Sequence, residues 1–147
     1  MKNTIIVTAI GSFSAQAVIE GCRRMGFRVV GCDIYPAQWV VNSKDVDVFY
    51  QAPYATDQEN YRQFLIDLCR REKAGYVLPL TDAEIDVLQA WPDREKELGA
   101  ILCISPHDAV TLCRNKKKME DFLTPLHICR PIPGRELKKV MEEEGPA

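Results

Sequence analysis

Three stretches of the sequence combine residue types that could do chemistry. In TAIGSFSAQ a single glycine, Gly11, separates a run of β-formers from an amphipathic segment, with Ser12 and Ser14 beside it. A glycine turn there lets backbone approach phosphates at a helix N-terminus, but a dinucleotide site asks for GxGxxG, and only Gly11 fits the pattern. Asp33 ends the next apolar run, where a ribose-binding acid would stand. The structural alternative is a tight turn whose serines satisfy the helix start. In PLTDAEIDVL, Asp82 and Glu84 fall at the carboxyl end of an expected strand, the place where open α/β sheets bind ligands. The same two acids would also cap a helix and offset its dipole. In RNKKKMEDFL three successive lysines begin an amphipathic segment through Met119, Phe122 and Leu123. They read as a solvated face, or as point charges for a polyphosphate.

Positioning these residues requires strands that alternate with helices. Thr4 to Ala9 is continuously apolar, as in a parallel strand covered on both faces. Ser14 to Met25 repeats apolar residues at helical spacing and Gly26 ends it, before a second strand from Arg28 to Cys32. Val46, Val48 and Tyr50 alternate and suggest a short third strand. Asp57 is placed to cap a helix running to about Lys73, stopped by Gly75. Tyr76 to Leu80 is the next buried strand, followed by a helix to Trp91 and, after Pro92, a short helical restart to about Leu98. Ala100 to Ile104 is a further strand, and SPHDAVTLC begins with Ser105 as N-cap and Pro106 in the first turn. The pattern predicts an α/β fold: a Rossmann-like open parallel sheet with helices on both faces. Residues 1–125 form that domain. Residues 126–147 read as a proline-rich link and one charged helix, mobile or sheltered by another copy beyond about Pro131.

Composition narrows the partners. With 19 basic and 21 acidic side chains in 147 residues, nothing in the charge balance draws the chain to nucleic acid or an anionic membrane. No apolar run approaches the roughly 20 residues that span a bilayer. The six cysteines include no CxxC pair, and the two histidines lie in different segments. Reduced, mostly buried thiols in a cytoplasmic protein are expected, rather than disulfides or zinc.

The order of these pieces resembles the N-terminal, pre-ATP-grasp domain of ATP-grasp ligases, in the carbamoyl-phosphate-synthase-like branch of carboxylate-amine ligases. The resemblance runs through TAIGSFSAQAVIEGCRRMG, VVGCDIYP, KAGYVLPLTDAEIDVL and ISPHDAVTLCRNKKKMEDFL, nearly the whole chain. It implies a domain that precedes an ATP-grasp domain, in an enzyme that activates a carboxylate as an acyl phosphate with Mg-ATP for attack by an amine. ATP and Mg would be cofactors of that parent, with neither held tightly by this domain alone and no catalysis by it alone. Family members carry a basic residue before the helix leading out of the domain, in contact with ATP phosphates. Lys116 matches by position; Asn115 stands where the family often has aspartate, so Lys117 is a second candidate. Gly11, Ser12, Asp82 and Glu84 resemble the substrate-facing side. The implied partners are a C-terminal ATP-grasp domain, a small carboxylate and, for the tail, a second copy of the chain.

Two alternatives stand beside this reading. A nicotinamide-dependent oxidoreductase or epimerase would bind NAD(P) here with Asp33 on the ribose, although two of the three glycines and a Tyr-x-x-x-Lys pair are missing. A non-enzymatic interaction module would bind no nucleotide at all.

Overall fold

The computed structural model describes residues 3–126, which fall into two compact units, one through Ile104 and one from Ser105. The first unit runs β1 (Thr4–Val7), α1 (Ala15–Arg24), β2 (Arg28–Asp33), β3 (Val48–Gln51), α2 (Gln58–Glu72), β4 (Tyr76–Leu78), α3 (Asp82–Gln89), α4 (Arg94–Leu98) and β5 (Ile101–Leu102). Short 3-10 turns at Ala37–Trp39 and Val41–Lys44 lead into β3. All five strands are parallel, in the order β3-β2-β1-β4-β5, with Ile5 of β1 opposite Val29 of β2 and Tyr76 of β4.

Strand alternation builds the two faces. Ile5 and Val7 point to the side of α1, where they meet Ile10, Ala15, Ile19, Cys22, Val29 and Val46. Ile6, Val30 and Cys32 point the other way, onto Tyr61, Leu65, Leu68 and Cys69 of α2 and Val87 and Leu88 of α3. The Rossmann-like sheet with helices on both faces is therefore the fold observed. The strands stop earlier than their apolar runs. β1 ends at Val7 because Ala9 turns with φ 50°, and β4 ends at Leu78, two residues before Leu80.

The helix boundaries follow local chemistry. Asp57 caps α2, accepting from Asn60 N–H, and the helix closes on Lys73 in the left-handed region, with Gly75 already outside it. Gly26, at φ 78°, ends the turn after α1. The helix expected through Trp91 stops at Gln89, and Pro92 precedes the restart as α4.

One network on α2 makes stability pH-dependent. Glu72 accepts from the Tyr50 hydroxyl and pairs with Arg28 at 2.7 Å, and its side chain is only 10 % exposed. The Tyr50 hydrogen bond first, and Arg28 second, hold its carboxyl below the usual glutamate range. A lowered folded pKa is stabilising above the unfolded value, and the benefit is lost as pH falls through the folded one. Urea midpoints are therefore expected to drop below about pH 4, where a free glutamate protonates. Glu72→Gln should flatten that part of the profile while lowering the neutral-pH plateau.

In the second unit, α5 (His107–Arg114) and α6 (Lys116–Leu123) are followed by a 3-10 turn, Thr124–Leu126. The residue at the N-cap of α5 is Pro106, so Ser105 lies one position outside the helix it was expected to cap. Asn115 separates the two helices and caps α6, its Oδ1 accepting from Lys118 N–H at 3.0 Å. The helix expected near the C-terminus and the mobility expected beyond Pro131 lie outside the described residues. Among the described residues no helix is long and apolar enough to cross a membrane. Cys22, Cys32 and Cys69 are buried and form no disulfide.

Candidate functional site

The chain leaves β1 for β2 on one side, and α2 later carries it back past β1 to β4. The order in which strands are added thus reverses between β1 and β4, and a crevice opens there at the carboxyl ends of the strands. In this molecule it is a cavity of about 380 Å³. Ala9, Gly11 and Ser12 line it from the β1–α1 turn, and Asp33, Ile34 and Tyr35 from the end of β2. Ala52 to Thr56 follow β3, while Tyr61 of α2 and Thr81, Ala83 and Glu84 around the start of α3 complete it.

The β1–α1 turn is stitched to both neighbouring strands. Thr8 N–H donates to Leu78 O and Ile10 N–H to Cys32 O, each at 3.2 Å. Between them Ala9 sits at φ 50°, a conformation that costs a non-glycine residue of order 1–3 kcal/mol and clusters at functional sites. Asn42 Nδ2 donates to Ile10 O at 2.7 Å from a buried side chain. Gly11 N–H donates to Asp33 Oδ2 at 2.8 Å, while the other oxygen of Asp33 accepts from Tyr35 N–H at 3.0 Å. A Cβ at Gly11 would stand 3.0 Å from Asp33 Oδ2, so a side chain here would make the carboxylate give by a few tenths of an ångström. The close approach of the turn is made to the protein's own carboxylate. The serines do not cap α1: Ser14 makes no side-chain cap bond, and its hydroxyl lies 3.5 Å from that of Ser12.

Glu84 forms the other wall. Its residue is 7 % exposed, and Oε2 accepts from the Thr81 hydroxyl at 2.7 Å and from Thr81 N–H at 3.3 Å, closing a capping box at the start of α3. Oε1 accepts from the buried Tyr61 hydroxyl at 2.9 Å. Burial first, and then the Glu84 charge, push the Tyr61 phenol well above its ordinary pKa, so it stays a donor. Burial first, and then the charges of Glu84 and Asp33, raise the buried Cys32 thiol well above the usual value.

Of the residues singled out in the sequence, Gly11, Ser12 and Glu84 line the cavity, and Asp33 joins them by pinning the turn. Asp82 lies exposed in the first turn of α3 and is not in the lining. Lys116 and Lys117 belong to the second unit. Lys117 Nζ lies 3.0 Å from Asp121 and 3.6 Å from Glu120 on its own helix, and the Asp121 hydrogen bond raises its pKa. Tyr35 and Tyr54 were not anticipated as site residues, since nothing local distinguishes them from other loop aromatics. The role of Glu84 was legible as Thr81-x-x-Glu84, a capping-box signature. Among the described residues no group of three or more His, Cys, Asp or Glu is arranged to hold a metal ion.

Solved structures share this fold at low identity. The biotin carboxylase domain of a single-chain bacterial carboxylase aligns with a TM-score of 0.61 at 15 % identity, over 97 % of this chain and 34 % of that one. The biotin carboxylase domain of Hydrogenobacter thermophilus 2-oxoglutarate carboxylase, solved as a dimer with MgADP, ADP and bicarbonate, aligns at 0.56 and 18 %, over 97 % and 33 %. L-amino acid ligase from Bacillus licheniformis aligns at 0.53 and 18 %, over 85 % and 30 %. This chain therefore spans about a third of the length of each. No curated protein sequence matches it significantly. The family model described as the PylC-like N-terminal domain, however, matches residues 5–104, the whole five-stranded sheet with its helices, and the chain belongs to that family.

Proposed function

We propose that this chain is the substrate-side N-terminal domain of an ATP-dependent carboxylate-amine ligase. In such an enzyme an ATP-grasp domain uses Mg-ATP to form an acyl phosphate, and an amine then displaces phosphate. The observation that carries the proposal is the family match over residues 5–104. The position of the cavity where the strand order reverses supports it, because that is where α/β folds place ligands. The domain's role is to position a small substrate, with Gly11, Ser12 and Glu84 on the cavity wall and Asp82 in the exposed first turn of α3. Lys116, or Lys117 once released from Asp121, meets the ATP phosphates as a point charge. The carbamoyl-phosphate-synthase-like branch, a cytoplasmic location, and a small carboxylate and a second copy of the chain as partners belong to the same proposal.

The NAD(P) alternative loses its main support in the turn. Asp33 is 5 % exposed and its two oxygens are engaged by Gly11 and Tyr35, and the turn presents to α1 a carboxylate where a pyrophosphate would sit. Calorimetric titration of the 147-residue chain with NADH and with Mg-ATP separates the readings. Neither is expected to bind tighter than about millimolar, the weak end of the affinity scale. Micromolar NADH binding would overturn the proposal, and micromolar Mg-ATP binding would move the nucleotide site into this domain.

A further inference from the structure

Helix N-termini are the usual anion sites of an α/β sheet, because their free N–H groups and dipoles point at the ligand. Three helices start around this cavity, and each is already served by a carboxylate of the protein. Asp33 takes Gly11 N–H on the approach to α1. Asp57 takes Asn60 N–H at the start of α2, directly after the lining residue Thr56. Glu84 takes Thr81 N–H at α3. Among the described residues the lining contributes no Lys, Arg or His. The hydrogen-bond partners of Asp33 and Glu84 are uncharged amides and hydroxyls of Gly11, Tyr35, Thr81 and Tyr61, so among the described residues neither acid is paired with a cationic side chain. A phosphate or carboxylate entering would meet two acids and, among the described residues, no cationic side chain.

The rest of the wall fits the opposite kind of ligand. Ile34, Ala52, Pro53, Ala55 and Ala83 offer an apolar channel for a hydrocarbon stem. Tyr35 and Tyr54 line the same cavity while remaining partly exposed, and a tyrosine face attracts an organic cation. From this combination we infer that the cavity binds a primary ammonium carried on a short apolar stem. Resting on the ligase reading, this makes the domain the seat of the amine substrate and puts the carboxylate and the nucleotide elsewhere.

The test is a two-dimensional NMR titration of the 15N-labelled 147-residue chain with three probes of one stem: n-pentylammonium, 1-pentanol and hexanoate. Pentylammonium is expected to shift the amides of Gly11, Tyr35 and Ala83 with an affinity in the millimolar range, at least tenfold tighter than the other two probes. Glu84→Gln should weaken it about five- to tenfold. Tyr54→Leu, a change on an exposed ring that leaves the core alone, should weaken it about two- to fivefold, as loss of an exposed cation–π contact does. Equal binding of all three probes would show an apolar slot without charge selection and overturn the inference. So would tighter binding of hexanoate, or no shift with any probe. These outcomes bear on the cavity alone; the ligase reading fails separately, by micromolar NADH binding in the calorimetric experiment.

Discussion

Glu84→Ala is expected to lower the stability of the sheet unit by about 3 kcal/mol, a large share of the 5–15 kcal/mol that holds a typical domain together. Two losses combine. The Tyr61 hydroxyl, buried and donating to Glu84 Oε1, is left without its acceptor, which costs roughly 1–3 kcal/mol. The capping box of α3 opens as well, at about 1 kcal/mol. Glu84→Gln keeps an acceptor for Tyr61 and should cost less than half as much. Urea denaturation followed by far-ultraviolet circular dichroism measures both, and an alanine variant within about 0.5 kcal/mol of the parent, the range of an ordinary surface change, would contradict this account of the wall. Because Glu84 both ties α3 to α2 and lines the cavity, stability and site geometry are coupled at this residue.

The second large effect is expected at Gly31, in the middle of β2 between Val7 of β1 and Phe49 of β3. A Cβ built there would lie 2.7 Å from Ile10 Cδ1 and 2.8 Å from Val46 Cγ1. Gly31→Ala should therefore cost about 1–3 kcal/mol by overpacking, and Gly31→Val more. Val46 is buried on the same face, so trimming it should relieve the strain. The double variant Gly31→Ala with Val46→Ala is expected to be more stable than the sum of the single changes by 0.5 kcal/mol or more, the coupling seen between residues in contact. Strict additivity would show that the strain is relieved through Ile10 instead. Ile10 precedes Gly11 and its carbonyl holds Asn42, so relief by that route would also disturb the turn that lines the cavity.

Hydrophobic periodicity made most of the architecture legible. A continuous apolar run such as TIIVTA admits a buried parallel strand, the three-to-four spacing of Tyr61, Leu65, Leu68 and Cys69 demands one helical face, and Asp57 and Gly26 mark boundaries through local backbone chemistry. The strand ends were less legible. Apolar character continues past Val7 and Leu78, and β1 ends because the backbone turns at Ala9. Likewise Pro106 and not Ser105 sits at the start of α5, a difference of one residue in where the backbone enters helical angles.

The chemistry divides in the same way. Alternation of strand and helix brings every β–α turn to one edge of a parallel sheet, so the arrival of Gly11, Ser12, Asp33, Thr81 and Glu84 at the carboxyl ends of the strands is readable from their places in the chain. What those residues do there is set by contacts across the sheet. Asp33 and Gly11 meet across two strands, and Glu84 meets Tyr61 from another helix. The acids of the chain consequently fill the anion sites that its helix starts would otherwise offer. Such contacts join residues far apart in the chain, and no local propensity or spacing encodes them; they exist only once the sheet has set its strands side by side in the order β3-β2-β1-β4-β5.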